Sequence, residues 1–514
     1  MKNKHLKLIA VFFLILACSK DDDVPTELPD IRVSINRTVN TVEEPSNNGK
    51  FVIDLSETFP ENVTVNLSIA GTATNGEDYQ SLSTSIIIPA NTESVDLLLN
   101  VVEDDTSEEN ETVLITITDT NQTRVIIGSS STATIVITDT EEAFVLQPED
   151  TATYMVNPNA TPETVALFYN LKTIAKTNFI VGQHDAFNSF YNDNAGDSDI
   201  KKTTGSDPGL LGSDFMFITD DDNAGTSDNW YFQQEEIIKS DAAEAYNKGM
   251  VNVFVWHLRE PYEGEEFYTS EMTTFQKNNA FKSLLVGGGN HEYYKAKLDK
   301  VADVANTMVG SDGKLVPFIF RPFHEFDGDW FWWGAPYCTP QEFIELWRFT
   351  VEYLRDTKGV NNMLFAYSPD KNYNSEGQYL SRYPGDNYVD VLGMDNYGDV
   401  DSVNQMDLDN ANTKLKIISD LAIAKVKIAA LTETCYFVTP GQNSPIPNFY
   451  AQNLYNVMTN NDVELAFMMF WSNKQDTYCI PTPGLTSTPD FMEFIQKPEV
   501  LLENELSNMY VLPN

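Results

Sequence analysis

Positive charge is scarce in this chain: 33 Lys and Arg face 76 Asp and Glu, a formal net charge of −43 over 514 residues. A phosphate backbone would be repelled by that field, which excludes a nucleic-acid partner and leaves a neutral polysaccharide unaffected. Cysteine is scarce too, with only Cys18, Cys338, Cys435 and Cys479. If Cys18 serves the N-terminus, the other three allow at most one disulfide, and their spacing fits no zinc site. Cys435 reads as a small buried residue near a strand end. The apolar run at residues 8–17 is too short to cross a bilayer as a stable helix. Hydrophobic residues are plentiful at 42% and aromatic ones at 12%, enough for a large core, so global disorder is excluded. The length exceeds one ordinary domain, although an α/β barrel alone takes about 250 residues.

Lys2, Lys4 and Lys7 precede the run at 8–17, which is the layout of an export signal. The run ends in Ile15-Leu16-Ala17-Cys18, which resembles a bacterial lipoprotein signal and implies that Cys18 is lipidated. An ordinary secretory signal is the alternative. Ser19-Lys20-Asp21-Asp22-Asp23 resembles the acidic tag of surface-exposed lipoproteins. The expectation is an outer-membrane lipoprotein on the cell surface, held to the membrane by its N-terminal lipid, with residues 1–18 as signal and 19–30 as tether.

From 31 to 142 the pattern is short alternating strands rich in Val, Ile and Thr, at 64–69, 85–88, 94–101, 112–118 and 134–139. Turn residues separate them, which predicts an antiparallel β-sandwich. The motifs Val42-Glu43-Glu44, Asn75-Gly76-Glu77-Asp78-Tyr79, Ile87-Ile88-Pro89-Ala90 and Glu103-Asp104-Asp105 resemble a Calx-beta domain. The resemblance implies possession of calcium ligands at one end of the sandwich, here Glu43, Asp78, Asp104, Asp105 and Asp139. Ca²⁺ favours clustered hard oxygens; a solvated acidic edge on a spacer is the competing reading.

After a linker at 143–160, strands and helices alternate from 161 to 505. Eight strands are expected, at 178–184, 214–219, 251–257, 315–320, 363–367, 389–394, 427–432 and 465–471. Helical spacing appears at 162–177, 233–248, 293–308, 341–357, 407–425 and 449–459, the first opened by Thr161 and Pro162. Eight alternations predict an α/β fold of the (β/α)₈ TIM-barrel class, with its site at the C-terminal strand ends. A doubly wound open sheet is the alternative, but no glycine-rich phosphate turn follows the first strand.

The expected strand ends carry one chemical theme: His184, His257, Arg321 with His324 and Glu325, Asp395-Asn396-Tyr397, Glu433, and Trp471. Three of the chain's five histidines fall there. Residues 321–334, RPFHEFDGDWFWWG, add the indoles Trp330, Trp332 and Trp333, whose flat faces suit pyranose rings. Packing alone would explain at least one of Trp332 and Trp333. Glu325 and Glu433, on strands four and seven, form a pair able to flank a glycosidic bond, one protonated and one ionised. Asp327 and Asp329 suit loop hydrogen bonding better than a metal.

RPFHEFDGDWFWWG, with VFVWHL, LGMDNYGD, ALTET and MMFWSN following the same order, resembles glycoside hydrolase family 26, whose members are mostly endo-β-1,4-mannanases. The resemblance covers about residues 161–495 and implies a retaining double displacement with no cofactor for catalysis. It implies Glu325 as acid/base and Glu433 as nucleophile, with Arg321 and His324 positioning them and Tyr397 hydrogen-bonded to Glu433. His257 and Trp471 would line the sugar pocket, Trp330 would provide the leaving-group platform, and His184 joins the substrate-binding set. The expected partner is a β-mannan-type polysaccharide, taken by a monomer. Another β-glycan, such as a xylan or a mixed-linkage glucan, or a non-catalytic glycan-binding role, are the competing functions.

Overall fold

Alternation of apolar and polar residues builds the first unit of the structure, a computed structural model that describes residues 30–44, 48–102, 109–138 and 144–513. The chain divides between Val145 and Leu146 into two compact units. The first holds β1 (Ile31–Arg37), β2 (Thr41–Glu43), β3 (Gly49–Leu55), β4 (Val63–Gly71), β5 (Ser85–Ile88), β6 (Ser94–Leu99), β7 (Glu111–Thr120), β8 (Val125–Ile127) and β9 (Thr132–Thr138). They form two sheets, ordered β6-β3-β1-β8 and β2-β9-β7-β4-β5. Phe51, Ile53 and Leu55 of β3 face inward while the residues between them stay partly exposed, the period of two that a half-buried strand requires. Val33, Val65, Ile115 and Ile135 complete a core shared by both sheets. Pairing is antiparallel as expected, except that the three-residue edge strands β8 and β2 run parallel to β1 and β9.

The second unit begins with a helix at Pro162–Ile174, where the Thr161 side chain accepts the Thr164 N–H and Pro162 takes the first turn. Eight parallel strands follow: β10 (Phe179–His184), β11 (Leu210–Asp214), β12 (Val251–Val255), β13 (Phe318–Arg321), β14 (Met363–Tyr367), β15 (Val391–Asp395), β16 (Ile428–Thr434) and β17 (Phe467–Phe470). Each pairs with the next, and β10 pairs with both β11 and β17, which closes the barrel. Strands such as β12 and β14 are buried at every position, as parallel strands covered on both faces must be. The connecting helices use side-chain caps; Thr339 and Glu342 form a reciprocal capping box ahead of Pro340–Glu352.

Strand two differs from expectation. The apolar run Phe215-Met216-Phe217-Ile218-Thr219 is not a strand; Met216–Thr219 turns as a short helix, and the strand precedes it at Leu210–Asp214. Glycine hid that strand from propensity. A Cβ on Gly212 would lie 2.6 Å from the Met469 sulfur and 2.9 Å from His184, so the glycine lets β11 approach β10 and β17 closely. Cys435 is also more than a small buried residue: it is disulfide-bonded to Cys479, 44 residues away, and Cys338 remains free and buried. Among the described residues, no helix is long and apolar enough to cross a membrane.

Candidate active site

The C-terminal ends of the barrel strands converge on a cavity of about 590 Å³ whose walls include His257, His324, Glu325, Tyr397, Glu433 and Trp471. His184 lines an adjoining cavity of about 470 Å³ that shares His257, Tyr268, Trp471 and Lys474 with the first. Arg321 lies beneath, as the last residue of β13, with no exposed surface.

Glu325 owes its position to an unusual turn. Phe323 and Glu325 both adopt left-handed backbone conformations, with φ of 51° and 52°. Such conformations cost of order 1–3 kcal/mol each and persist where the surroundings over-determine them. The Glu325 N–H donates to Ser368 O at 2.9 Å, and the Trp333 indole donates to His324 O at 2.7 Å. Asp327 serves the loop, as the sequence suggests: its carboxylate accepts the N–H groups of Asp370 and Asn372, at 2.6 and 2.9 Å. Trp332 and Trp333 are both wholly buried, so both are packing residues and neither is a sugar platform.

Glu433 reaches the lumen from β16, at an irregularity in its pairing with both β15 and β17 that re-aims the side chain. Its Oε1 accepts the Tyr397 hydroxyl at 2.6 Å and its Oε2 accepts from Arg321. Arg321 also donates to Asp395, whose second oxygen accepts from Thr432 at 2.7 Å. One oxygen each from Glu325, Asp395 and Glu433 lies within 4.8 Å of the others. Three carboxylates so placed have the chemistry of a cation site, but the guanidinium already bridges two of them.

The electrostatics single out Glu325. Burial first, then the negative charges of Asp395, Glu433 and Asp370, push Glu325 well above the usual carboxylate range, against a hydrogen bond from Trp330. Asp395 is pushed up by burial and Glu433 and pulled back by Arg321 and Thr432. Burial opposes the charge on Arg321, yet Asp395 and Glu433 outweigh it and raise its pKa, so the guanidinium stays charged. Burial and then the neighbouring His257, Arg321 and His184 hold His324 well below its ordinary value, so its ring is neutral. Burial together with Glu433 raises Tyr397, which keeps its hydroxyl as a donor.

His257 is oriented by Asp214, with Nδ1 at 2.6 Å from Oδ2 and its backbone N–H on Oδ1. Burial would raise Asp214, but its contacts with His257 prevail and lower it. His184 stacks on Trp471 with centroids 4.0 Å apart and 8° between planes, leaving a flat wall against the cavity. The sequence marks Asp395 only as a strand-end residue without a role, because its partner is not visible there, and it gives Asp214 no role, because the pattern puts that residue at the start of a strand instead of its end. The disulfide partner Cys435 and the aromatic walls Tyr268, Tyr436 and Phe437 also line the cavity that holds Glu325 and Glu433.

In the first unit, Asp78 is buried and accepts the Thr74 N–H, and Glu43 is exposed on β2. Cys18, Asp104, Asp105 and Asp139 lie outside the described residues. No group of three converging metal ligands occurs in the first unit among the described residues.

Both units are similar to known proteins. Residues 29–141 match the Calx-beta domain. The barrel is similar to GH26C from a Muricauda species, with 63% identity and a TM-score of 0.72 over 72% of this chain and 100% of that one. A modular endo-β-1,4-mannanase from Cellulomonas fimi is 31% identical, with a TM-score of 0.62 over 69% of this chain and 79% of that one. A mannan endo-1,4-β-mannosidase of Bifidobacterium adolescentis is 34% identical over 326 residues, which is 61% of this chain and 31% of that protein. The chain thus spans about a third of that relative's length, and 66% of a Bacillus subtilis mannan endo-1,4-β-mannosidase that is 28% identical. The family model for glycosyl hydrolase family 26 matches residues 156–461, more than half of the sequence, and the chain belongs to that family.

Proposed function

We propose that the chain is a retaining endo-β-1,4-mannanase. The observation that carries the mechanism is the closeness of Glu325 and Glu433, whose nearest oxygens lie within 4.8 Å across the cavity. Retaining glycosidases place the pair about 5–5.5 Å apart, whereas inverting enzymes leave about 6.5–9.5 Å for a water. Glu433, accepting hydrogen bonds on both oxygens, is the nucleophile; Glu325, held protonated, is the acid and then the base. Glu433 bonds to the anomeric carbon as the glycosidic bond breaks and Glu325 protonates the departing oxygen. Glu325 then takes a proton from water as that water displaces Glu433. Arg321 and Tyr397 hold Glu433, Asp214 orients His257, and the His184–Trp471 stack offers a flat face to a sugar ring. The choice of mannan rests on the similar proteins described as mannanases.

Incubation with linear mannan, galactomannan, xylan and mixed-linkage glucan tests the substrate. Manno-oligosaccharides are expected from the first two; activity confined to xylan or glucan would overturn the assignment. Burial and its carboxylate neighbours raise Glu325, and the acid must hold its proton to act, so kcat/KM should fall on the alkaline side as that proton leaves. Asp370 is one of the negative charges that raise Glu325, and it is itself pushed up to about 7 by burial and Asp327. It is ionised on the alkaline side, so Asp370→Asn should shift the limb to lower pH; a shift upward would contradict the electrostatics.

The N-terminal basic and apolar segment ending in Cys18 supports a lipid anchor that would hold the enzyme at the cell surface. The five carboxylates of the Calx-beta unit are hard oxygen donors, which suits calcium. Calorimetry of the chelator-treated chain with Ca²⁺ should show stoichiometric binding, and no heat would make the unit a spacer.

A further inference from the structure

Trp330 donates its indole N–H to Oε2 of Glu325 at 2.5 Å. An indole nitrogen only donates, and in a protonated carboxyl the carbonyl oxygen is the better acceptor. The donor therefore makes Oε2 the carbonyl oxygen and leaves the proton to Oε1. Oε1 has no hydrogen bond to protein among the described residues, and Glu325 lines the cavity.

The loop that carries Trp330 is pinned at its backbone, and the ring itself packs closely. Trp330 O accepts the Thr269 N–H at 2.7 Å, and the Thr269 hydroxyl donates to Asp329 O at 2.8 Å. Against the ring lies Gly328, where an added Cβ would fall 2.4–2.6 Å from Cη2, Cζ3 and Cζ2 of the ring. Gly328 is not in the left-handed region, so the glycine serves this close approach and not the turn.

We propose that Trp330, seated against Gly328, is a positioning residue that fixes the exchangeable proton of Glu325 on Oε1. This rests on the glycosidase reading and deepens it. In the first half-reaction the Oε1 proton passes to the glycosidic oxygen, which keeps the electron pair of the breaking bond while Glu433 bonds to the anomeric carbon. In the second, Oε1 takes a proton from water as its oxygen bonds to that carbon, and the bond to Glu433 breaks with its pair returning to the carboxylate. One oxygen thus serves both directions, and Trp330 acts through Glu325.

Trp330→Phe keeps a flat ring and removes the N–H. With the full chain, pH profiles should be measured on a β-1,4-manno-oligosaccharide and on a dinitrophenyl β-mannobioside, whose leaving group departs without protonation. On the oligosaccharide, kcat is expected to fall about 10–100-fold, part of the full worth of general acid catalysis. The alkaline limb should move to higher pH, because the lost N–H favoured the ionised form. On the aryl glycoside the first half-reaction should change by about twofold at most. A raised KM on both substrates with an unmoved limb would make Trp330 a stacking platform only and overturn the proposal. Gly328→Ala, which forces the indole to shift, should move the limb the same way and supplies the test if Trp330→Phe does not fold. A wild-type chain inactive on both substrates would instead sink the glycosidase reading, a different failure from an active enzyme whose limb ignores Trp330.

Discussion

Glu433→Ala should lower kcat on mannan by at least about 10⁴-fold, the scale on which removal of a covalent nucleophile acts. Without the carboxylate, no bond forms to the anomeric carbon, and a water alone must displace a poor leaving group. The fold should survive, because Arg321 keeps Asp395 as its partner and the Tyr397 hydroxyl borders the cavity. The alanine leaves room for a small anion. Azide should therefore restore turnover of an activated aryl mannobioside and give the α-glycosyl azide by a single inversion. Residual mannan hydrolysis above about one per cent of wild type would remove Glu433 from the nucleophile's role.

Arg321→Met should damage stability as well as activity. The guanidinium is wholly buried between Asp395 and Glu433. Removing one partner of a buried ion network costs about 3–5 kcal/mol, because the remaining charges stay desolvated and unpaired. Here they would also repel each other. Asp395, already raised by burial and Glu433, would lose the cation that pulls it back, so the folded variant binds a proton that the unfolded chain releases. The sign follows: the loss should be smaller at pH 5 than at pH 8, since acid neutralises Asp395. Denaturant titrations at both pH values measure it. A cost below about 1 kcal/mol at pH 8, or a loss that grows on acidification, would contradict the assigned network.

The barrel was legible because its strands are continuous buried runs bounded by turns; the expected strand at Met363–Tyr367 matches residue for residue. Strand two was not, because β11 carries Gly212 for close packing while the more apolar run after it forms a helical turn. That displacement hid Asp214 as the partner of His257. Glu325 and Glu433 stood out as acids ending strands on opposite parts of the barrel, and the structure brings them together. Asp395 stood at a strand end too, but its contact with Arg321 crosses 74 residues and leaves no mark in local pattern. The Cys435–Cys479 bond is hidden for the same reason. At Trp330 the sequence suggests a flat ring for a sugar, whereas the structure adds an edge-on donor to Glu325.

The stereochemistry of the first product tests the two-carboxylate mechanism most directly. Proton NMR of freshly started mannan oligosaccharide hydrolysis should show the β-anomer at the new reducing end before mutarotation builds the α-anomer. Initial release of the α-anomer would mean a single inversion by water, and would contradict covalent attack by Glu433.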